Sequence, residues 1–100
     1  MTIYVDPLMG HALKLHGHTV HNCHLFSDTS VDELHAFAER IGMDRTWFHD
    51  QRIPHYDLTP APRRLAVSCG AVEVNLREAV YLWAGIQARR SALAIELPPR

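Results

Sequence analysis

The chain is poor in most of the features that announce a specialised class. Its 100 residues contain two cysteines, Cys23 and Cys69. That is too few for the disulfide framework of a small secreted domain, and no Cys-x-x-Cys redox motif is present. A reducing, cytoplasmic compartment is therefore expected. There is no run of ~18 apolar residues such as a membrane span requires. The opening Thr2-Ile3-Tyr4-Val5-Asp6 lacks the basic and apolar regions of a secretory signal, so no membrane partner is expected. Lysine is almost missing: of ten basic residues only Lys14 is lysine, and the others are arginine. The formal net charge of -1 supplies no global basic field for nucleic acid. No zinc-finger spacing, aromatic ribonucleoprotein motif or basic stripe is present either. Ser27, Ser30 and Ser68 lie in no nucleophile-elbow pattern.

What is there is an ordinary globular chain with one excess. Hydrophobic residues make up 47% and charged residues 21%, close to average usage for a folded domain. The length suits one domain, which buries about two-thirds of its unfolded surface. The excess is histidine, at eight residues. Imidazole titrates near neutrality and is the commonest metal ligand.

Residues 2–6 read as a strand, 7–18 as a loop carrying Pro7, Gly10 and Gly17, and 19–26 as a second strand. Ser30 and Glu33 have capping-box spacing, so a helix runs through Leu34, Phe37, Ala38 and Ile41 to a stop at Gly42. Residues 43–52 read as a turn in which Trp47 and Phe48 are core, and 53–58 as an extended segment. Thr59 caps a second helix with Pro60 at its first position, ending at Gly70. Residues 71–75 form a short strand. Asn75 and Glu78 repeat the capping-box spacing before a third helix over about 76–90. Strands alternating with helices predict a small single-domain α/β sandwich, with a short, mostly parallel sheet and about three helices packed on it. Residues 1–90 form the domain. Residues 91–100 form a C-terminal tail that either folds back or lies at an oligomer interface.

Several pieces occur in a definite order: Tyr4-Val5-Asp6, His24-Leu25 followed by Ser27-Asp28, Glu33-Leu34-His35-Ala36-Phe37-Ala38, His55-Tyr56-Asp57, and Gly70-Ala71. Over roughly residues 3–80 they resemble a family of short bacterial and phage proteins, the domain of unknown function numbered 4031. The resemblance implies no activity. It does imply that Asp6, His24, Asp28, Glu33, His35, His55 and Asp57 are the polar residues that recur in the motifs.

Asp6 ends the first strand and His24 lies near the end of the second. His55 and Asp57 are two apart on an extended segment and so share a face. His35 flanks the apolar stripe of the first helix. If the strand ends gather at one edge, Asp6, His24, His35, His55 and Asp57 are candidate metal ligands, for zinc or manganese. His35, His55, Asp57 and Glu33 are the candidate catalytic groups. A hydrogen-bonded polar site without metal and a purely structural role stay open beside this. His16, His18, His21 and Cys23 form a separate cluster, better read as an exposed histidine loop than as structural zinc, because a second cysteine pair is missing. Arg63 and Arg64, in the first turns of helix two, are candidate anion-binding residues for a phosphate-bearing small molecule. Pairing with Asp57, Glu73 or another carboxylate competes with that role.

Helix three carries Leu76, Val80, Trp83 and Ala84 on one side, with Leu82 and Ile86 broadening the apolar arc. Such an arc suggests a homodimer, or a tail folding back through Leu93, Ile95 and Leu97. The leading expectation is a hydrolase or phosphate-ligand enzyme using a His/Asp site, with metal dependence left open. The alternative is a non-catalytic accessory protein that binds a nucleotide or docks a partner. Convergence of His24, His35, His55 and Asp57 on one cavity separates the two.

Overall fold

Side-chain alternation along three strands sorts the apolar residues into two layers. In a strand, successive side chains face opposite ways. Ile3 and Val5, Cys23 and Leu25, and Tyr56 and Leu58 pack on one side of the sheet. Tyr4 and Phe26 pack on the other. The computed structural model describes the backbone of residues 2–15 and 18–96 and the side chains of residues 2–9 and 21–93. The elements are β1 (Ile3–Val5), β2 (Met9–Leu15), β3 (His18–Ser27), α1 (Val31–Arg40), a short 3-10 turn (Arg45–Trp47), β4 (Phe48–His49), β5 (His55–Leu58), α2 (Pro60–Ser68), β6 (Val72–Glu73) and α3 (Leu76–Glu96).

The strand order is β4-β5-β3-β1-β6, with β2 paired to β3 off that path. The fold is a small α/β arrangement with three helices. The sheet, however, is mostly antiparallel, not mostly parallel as the βα alternation suggests, and β1–β6 is its only parallel pairing among the described residues. The reason is interleaving. β1, β5 and β6 run one way, and β3 and β4 run the other. The crossover through α1 joins β3 to the co-directional β4, but β5 lies between them. The crossover through α2 joins β5 to β6, with β3 and β1 between them. The two crossover helices α1 and α2 thus do connect parallel strands, yet the hydrogen-bonded neighbours are antiparallel except for β1–β6. The loop expected over 7–18 instead contains β2, and the turn expected over 43–52 contains β4.

Leu34, Phe37 and Ala38 of α1, Ile41 at its C-terminal cap and Ala66 of α2 cover the first layer. Ala79, Leu82, Trp83 and Ile86 of α3 cover the second. The face of α3 that packs on the sheet is therefore the 79/82/83/86 stripe, and Leu76, Val80 and Ala84 are exposed. Helix boundaries follow local chemistry. The Ser30 hydroxyl accepts from the Glu33 N–H at 3.1 Å. Asn75 and Glu78 close a reciprocal box at 2.8 and 3.0 Å. Gly42 and Gly70 take φ of +81° and +106° just past α1 and α2, a conformation that favours glycine. Trp47 is 55% exposed rather than core, while Phe48 packs against the first layer. No helix among the described residues is long and apolar enough to cross a membrane.

Candidate functional site

Register places the site. Tyr4 and Val5 pair with Phe26 and Leu25 across β1–β3, and the next step brings Asp6 beside His24, whose carbonyl accepts the Asp6 N–H at 3.3 Å. His24 pairs with Asp57 across β3–β5, so Asp6, His24 and Asp57 form one row. Two residues along β5, His55 pairs with His49 of β4. The same parity that puts Tyr4 and Phe26 beneath α3 puts these five polar side chains on that face, at one end of the strands.

The row is tightly wired. Asp6 is 2% exposed. Its carboxylate accepts the His24 backbone N–H at 2.6 Å and lies 2.7 Å from His24 Nδ1. A carboxylate only accepts, so Nδ1 carries the ring proton and Nε2 is the nitrogen directed to the site. His55 Nδ1 lies 2.7 Å from the Ile53 carbonyl, which fixes the same tautomer by the same logic. The His24 and His55 Nε2 atoms lie 4.0 and 3.5 Å from Asp57 Oδ1. His49 Nε2 approaches the other oxygen, Oδ2, at 3.1 Å. Candidate ligand atoms of His24, His55 and Asp57 all fall within 4.8 Å of one another. A tetrahedral zinc with ~2.0–2.2 Å bonds needs ligand separations of about 3.3–3.6 Å, so small side-chain adjustments would close this set. The three groups each have an outer partner, in Asp6, the Ile53 carbonyl and His49. Such partners orient ligands in metal sites.

Charge follows the wiring. The hydrogen bond that His24 donates to the Asp6 carboxylate holds the His24 pKa above its ordinary value against the opposing effect of burial. Burial pushes the His55 pKa down, which favours the neutral imidazole, the form with a lone pair to donate. Above the histidines opens a cleft of ≈ 320 Å³ lined by His24, His55, Trp83, Gln51, Arg52 and Gln87, with Ile53 at its side. Edge-on contacts fix the rings: His24 on His55 at 4.8 Å and His24 on Trp83 at 5.7 Å between centroids. A tighter recess of ≈ 140 Å³ lies at the start of α1. The Arg89 guanidinium there donates to the Asp28 carbonyl, and among the described residues no set of three metal-ligating groups gathers in it.

The remaining sequence candidates go elsewhere. His35 is buried in the opposite layer, its Nδ1 2.7 Å from the Tyr56 hydroxyl and its ring 4.5 Å from that of Phe48. Tyr56 is the residue of β5 that faces away from His55 and Asp57, so the sheet separates His35 from the row and the expected five-group convergence loses this member. The Glu33 carboxylate accepts from the Ser27 hydroxyl at 3.1 Å. Arg63 donates to the Asp6 carbonyl from Nε and Nη2 at 3.1 and 3.0 Å, and to Glu73 at 2.9 Å. It braces the residue that orients His24, and Arg64 is exposed. Cys23 is buried in the first layer, where desolvation, reinforced by the Asp6 charge, pushes its thiol up to about 12. It is therefore no partner for the histidine loop. His21 is exposed, while His16 and the His18 side chain lie outside the described residues. Sequence reasoning missed His49 and Trp83. The signal for His49 was the alternation of Phe48-His49 against His55-Tyr56, which matches side for side in a hairpin.

A family model described as "Protein of unknown function (DUF4031)" matches residues 3–85. No curated protein and no solved structure matches the chain.

Proposed function

The chain belongs to the DUF4031 family, whose description assigns no activity, and from the histidine row we propose a metal-dependent hydrolase of small molecules. A divalent ion would be held by His24 Nε2, His55 Nε2 and the Asp57 carboxylate, with the cleft as the substrate entrance. The observation that carries the reading is the double tautomer lock. Both Nδ1 atoms are taken by acceptors, at 2.7 Å each, which leaves both Nε2 atoms facing one carboxylate. Two imidazoles and a carboxylate with an open position suit catalytic zinc, and manganese tolerates the same donors. Such an ion supplies a nucleophilic water near neutral pH and polarises a substrate oxygen. The chain's own groups do the rest: Asp6 orients His24, His49 steadies Asp57, and the apolar wall of Ile53 and Trp83 limits water.

Elemental analysis of tag-free protein purified without metal-affinity resin tests this. About one zinc or manganese per chain, lost in His55→Ala and in Asp57→Asn and retained in His16→Ala, is the expected result. No bound metal after zinc and manganese loading and dialysis would sink the reading. Iron at that stoichiometry would keep the ligands but remove the hydrolase, since two histidines and a carboxylate also serve iron oxygenases.

A second reading concerns assembly. Leu76, Val80 and Tyr81 are 44, 52 and 80% exposed along the outer side of α3, a ridge suited to a second copy of the chain. Sedimentation of the wild type against Tyr81→Glu tests it. A dimer dissolved by the substitution supports the reading, and a monomer at all concentrations removes it.

A further inference from the structure

Trp83 packs its ring edge-on against His24 and Phe26, at 5.7 and 5.8 Å between centroids, and lines the cleft beside His55. Its indole Nε1 is buried and has no hydrogen-bond partner among the described residues. A buried donor left without an acceptor costs about 1–3 kcal/mol, and most such donors in folded proteins are satisfied. Trp83 lines the cleft over the candidate metal ligands, and a small turn of its ring would present this closed-off donor to an acceptor brought by a ligand. The other groups that line the cleft narrow its chemistry. Arg52 adds a cation and five N–H donors, Gln51 and Gln87 add amides, and among the described residues no carboxylate lines the cleft. A shallower recess of ≈ 650 Å³ shares Gln51, Arg52 and Gln87 and adds Arg90, with the one acidic residue, Asp50, 3.9 Å from that arginine.

We propose that the cleft binds a phosphomonoester, whose phosphoryl oxygens accept from the Trp83 indole N–H and the Arg52 guanidinium while Gln51 and Gln87 meet its organic part. The inference rests on the hydrolase reading above, and it names that enzyme's substrate class. In the reaction, a water oxygen bonds to phosphorus as the P–O ester bond breaks. The electron pair of that bond leaves with the alcohol oxygen, which takes a proton from the water, giving an alcohol and inorganic phosphate. A phosphate dianion matches the site because it brings three acceptors to a place supplied with donors. Trp83 acts here as a specificity residue, since a carbonyl or ether substrate would offer fewer oxygens to its N–H and to Arg52.

The indole N–H resonance of Trp83, assigned with Trp47→Phe, reports the contact directly. Inorganic phosphate, adenosine 5′-monophosphate and adenosine are titrated into apo and zinc-loaded protein, with affinities from calorimetry. The expected result is a saturable shift of that resonance with the nucleotide, none with adenosine, and at least ~10-fold weaker binding in Arg52→Gln and Trp83→Phe, the loss of one charge-assisted bond. Tighter binding of the nucleotide than of inorganic phosphate identifies the ester as the ligand, and the reverse order overturns the substrate assignment. If Trp83→Phe fails to fold, the exposed Arg52→Gln and the indole resonance of the wild type still decide. An unmoved resonance with zinc bound overturns the proposal and leaves the metal reading standing. A phosphate-induced shift in protein that takes up no metal supports the anion site and removes the hydrolase.

Discussion

Asp57 stands directly across the β3–β5 ladder from His24, with Oδ1 4.0 Å from Nε2. His24 is tied on its far side to Asp6 at 2.7 Å. The imidazole thus stands between two carboxylates, one nearly inaccessible and one partly exposed. The buried one sets the ring's tautomer, and the outer one faces its free nitrogen.

Asp6→Asn keeps the size of the side chain and removes its charge. Its expected effect on zinc affinity is a ~10–100-fold loss, the usual consequence of removing a ligand's outer partner. It should also change how stability depends on pH. The folded-state pKa of His24 is raised, so the pair's contribution is fully present below the unfolded value of ~6.5 and disappears as pH rises through the folded value. Urea denaturation of metal-free protein should show a larger deficit for Asp6→Asn at pH 6 than at pH 9. An equal deficit at both would mean that only the pH-independent bond to the His24 N–H matters.

His55 bears the opposite sign. Its depressed pKa means that the unfolded chain takes up this proton first as pH falls through ~6.5, so its burial costs stability on acidification. His55→Gln should therefore flatten the acid limb of the stability curve of metal-free protein. An acid limb as steep as that of the wild type would show that burial does not depress this group.

Zinc should stabilise the protein as a ligand of the native state. At about a hundred times its dissociation constant, binding contributes ~2.7 kcal/mol, which for a domain of this size raises Tm by ~10–20 °C. Thermal melts with and without zinc check this, and Asp57→Asn should abolish most of the rise.

Tyr56→Phe acts on the other layer. It leaves His35 Nδ1 without its 2.7 Å partner, a buried loss expected to cost ~1–3 kcal/mol, with metal content unchanged. Reduced metal content in this variant would contradict the separation of His35 from the row by the sheet.

The thiols should react separately. Cys23, 1% exposed and pushed up to about 12, should resist alkylation in native protein at pH 8, while the half-buried Cys69 reacts. Both should react in denaturant. Mass spectrometry of iodoacetamide-treated protein counts them, and rapid double labelling of native protein would argue against the burial of Cys23.

Local chemistry was legible in the chain. Ser30 and Asn75 cap two helices and Pro60 opens another, where Thr59 holds the N-cap position but makes no side-chain cap bond, and Gly42 and Gly70 mark where two of them stop, because caps and left-handed turns depend on neighbours in sequence. The parity of His55 and Asp57 was legible for the same reason. Strand adjacency was not, since the interleaving of β5 and of β3 with β1 between co-directional strands leaves no trace in a βα alternation. β4 has two residues, too few for a period, so His49 went unseen. His35 was misplaced because a helical stripe shows which residues are buried, but not on which side of the sheet the helix docks. α3 misled in a related way: its apolar arc is broad, and only the contact with Phe26 and Tyr4 selects the 79/82/83/86 stripe.

Strands β3, β4 and β5 and the residue just past β1 supply the row, which reaches from Asp6 to Asp57. No hairpin or single β-helix-β unit contains the set, so a partly made or misassembled chain offers scattered imidazoles and no preorganised chelate. Tight metal uptake would then arrive only once β3, β4 and β5 had come into register beside Asp6, and bound zinc would serve as a record that this part of the sheet had formed.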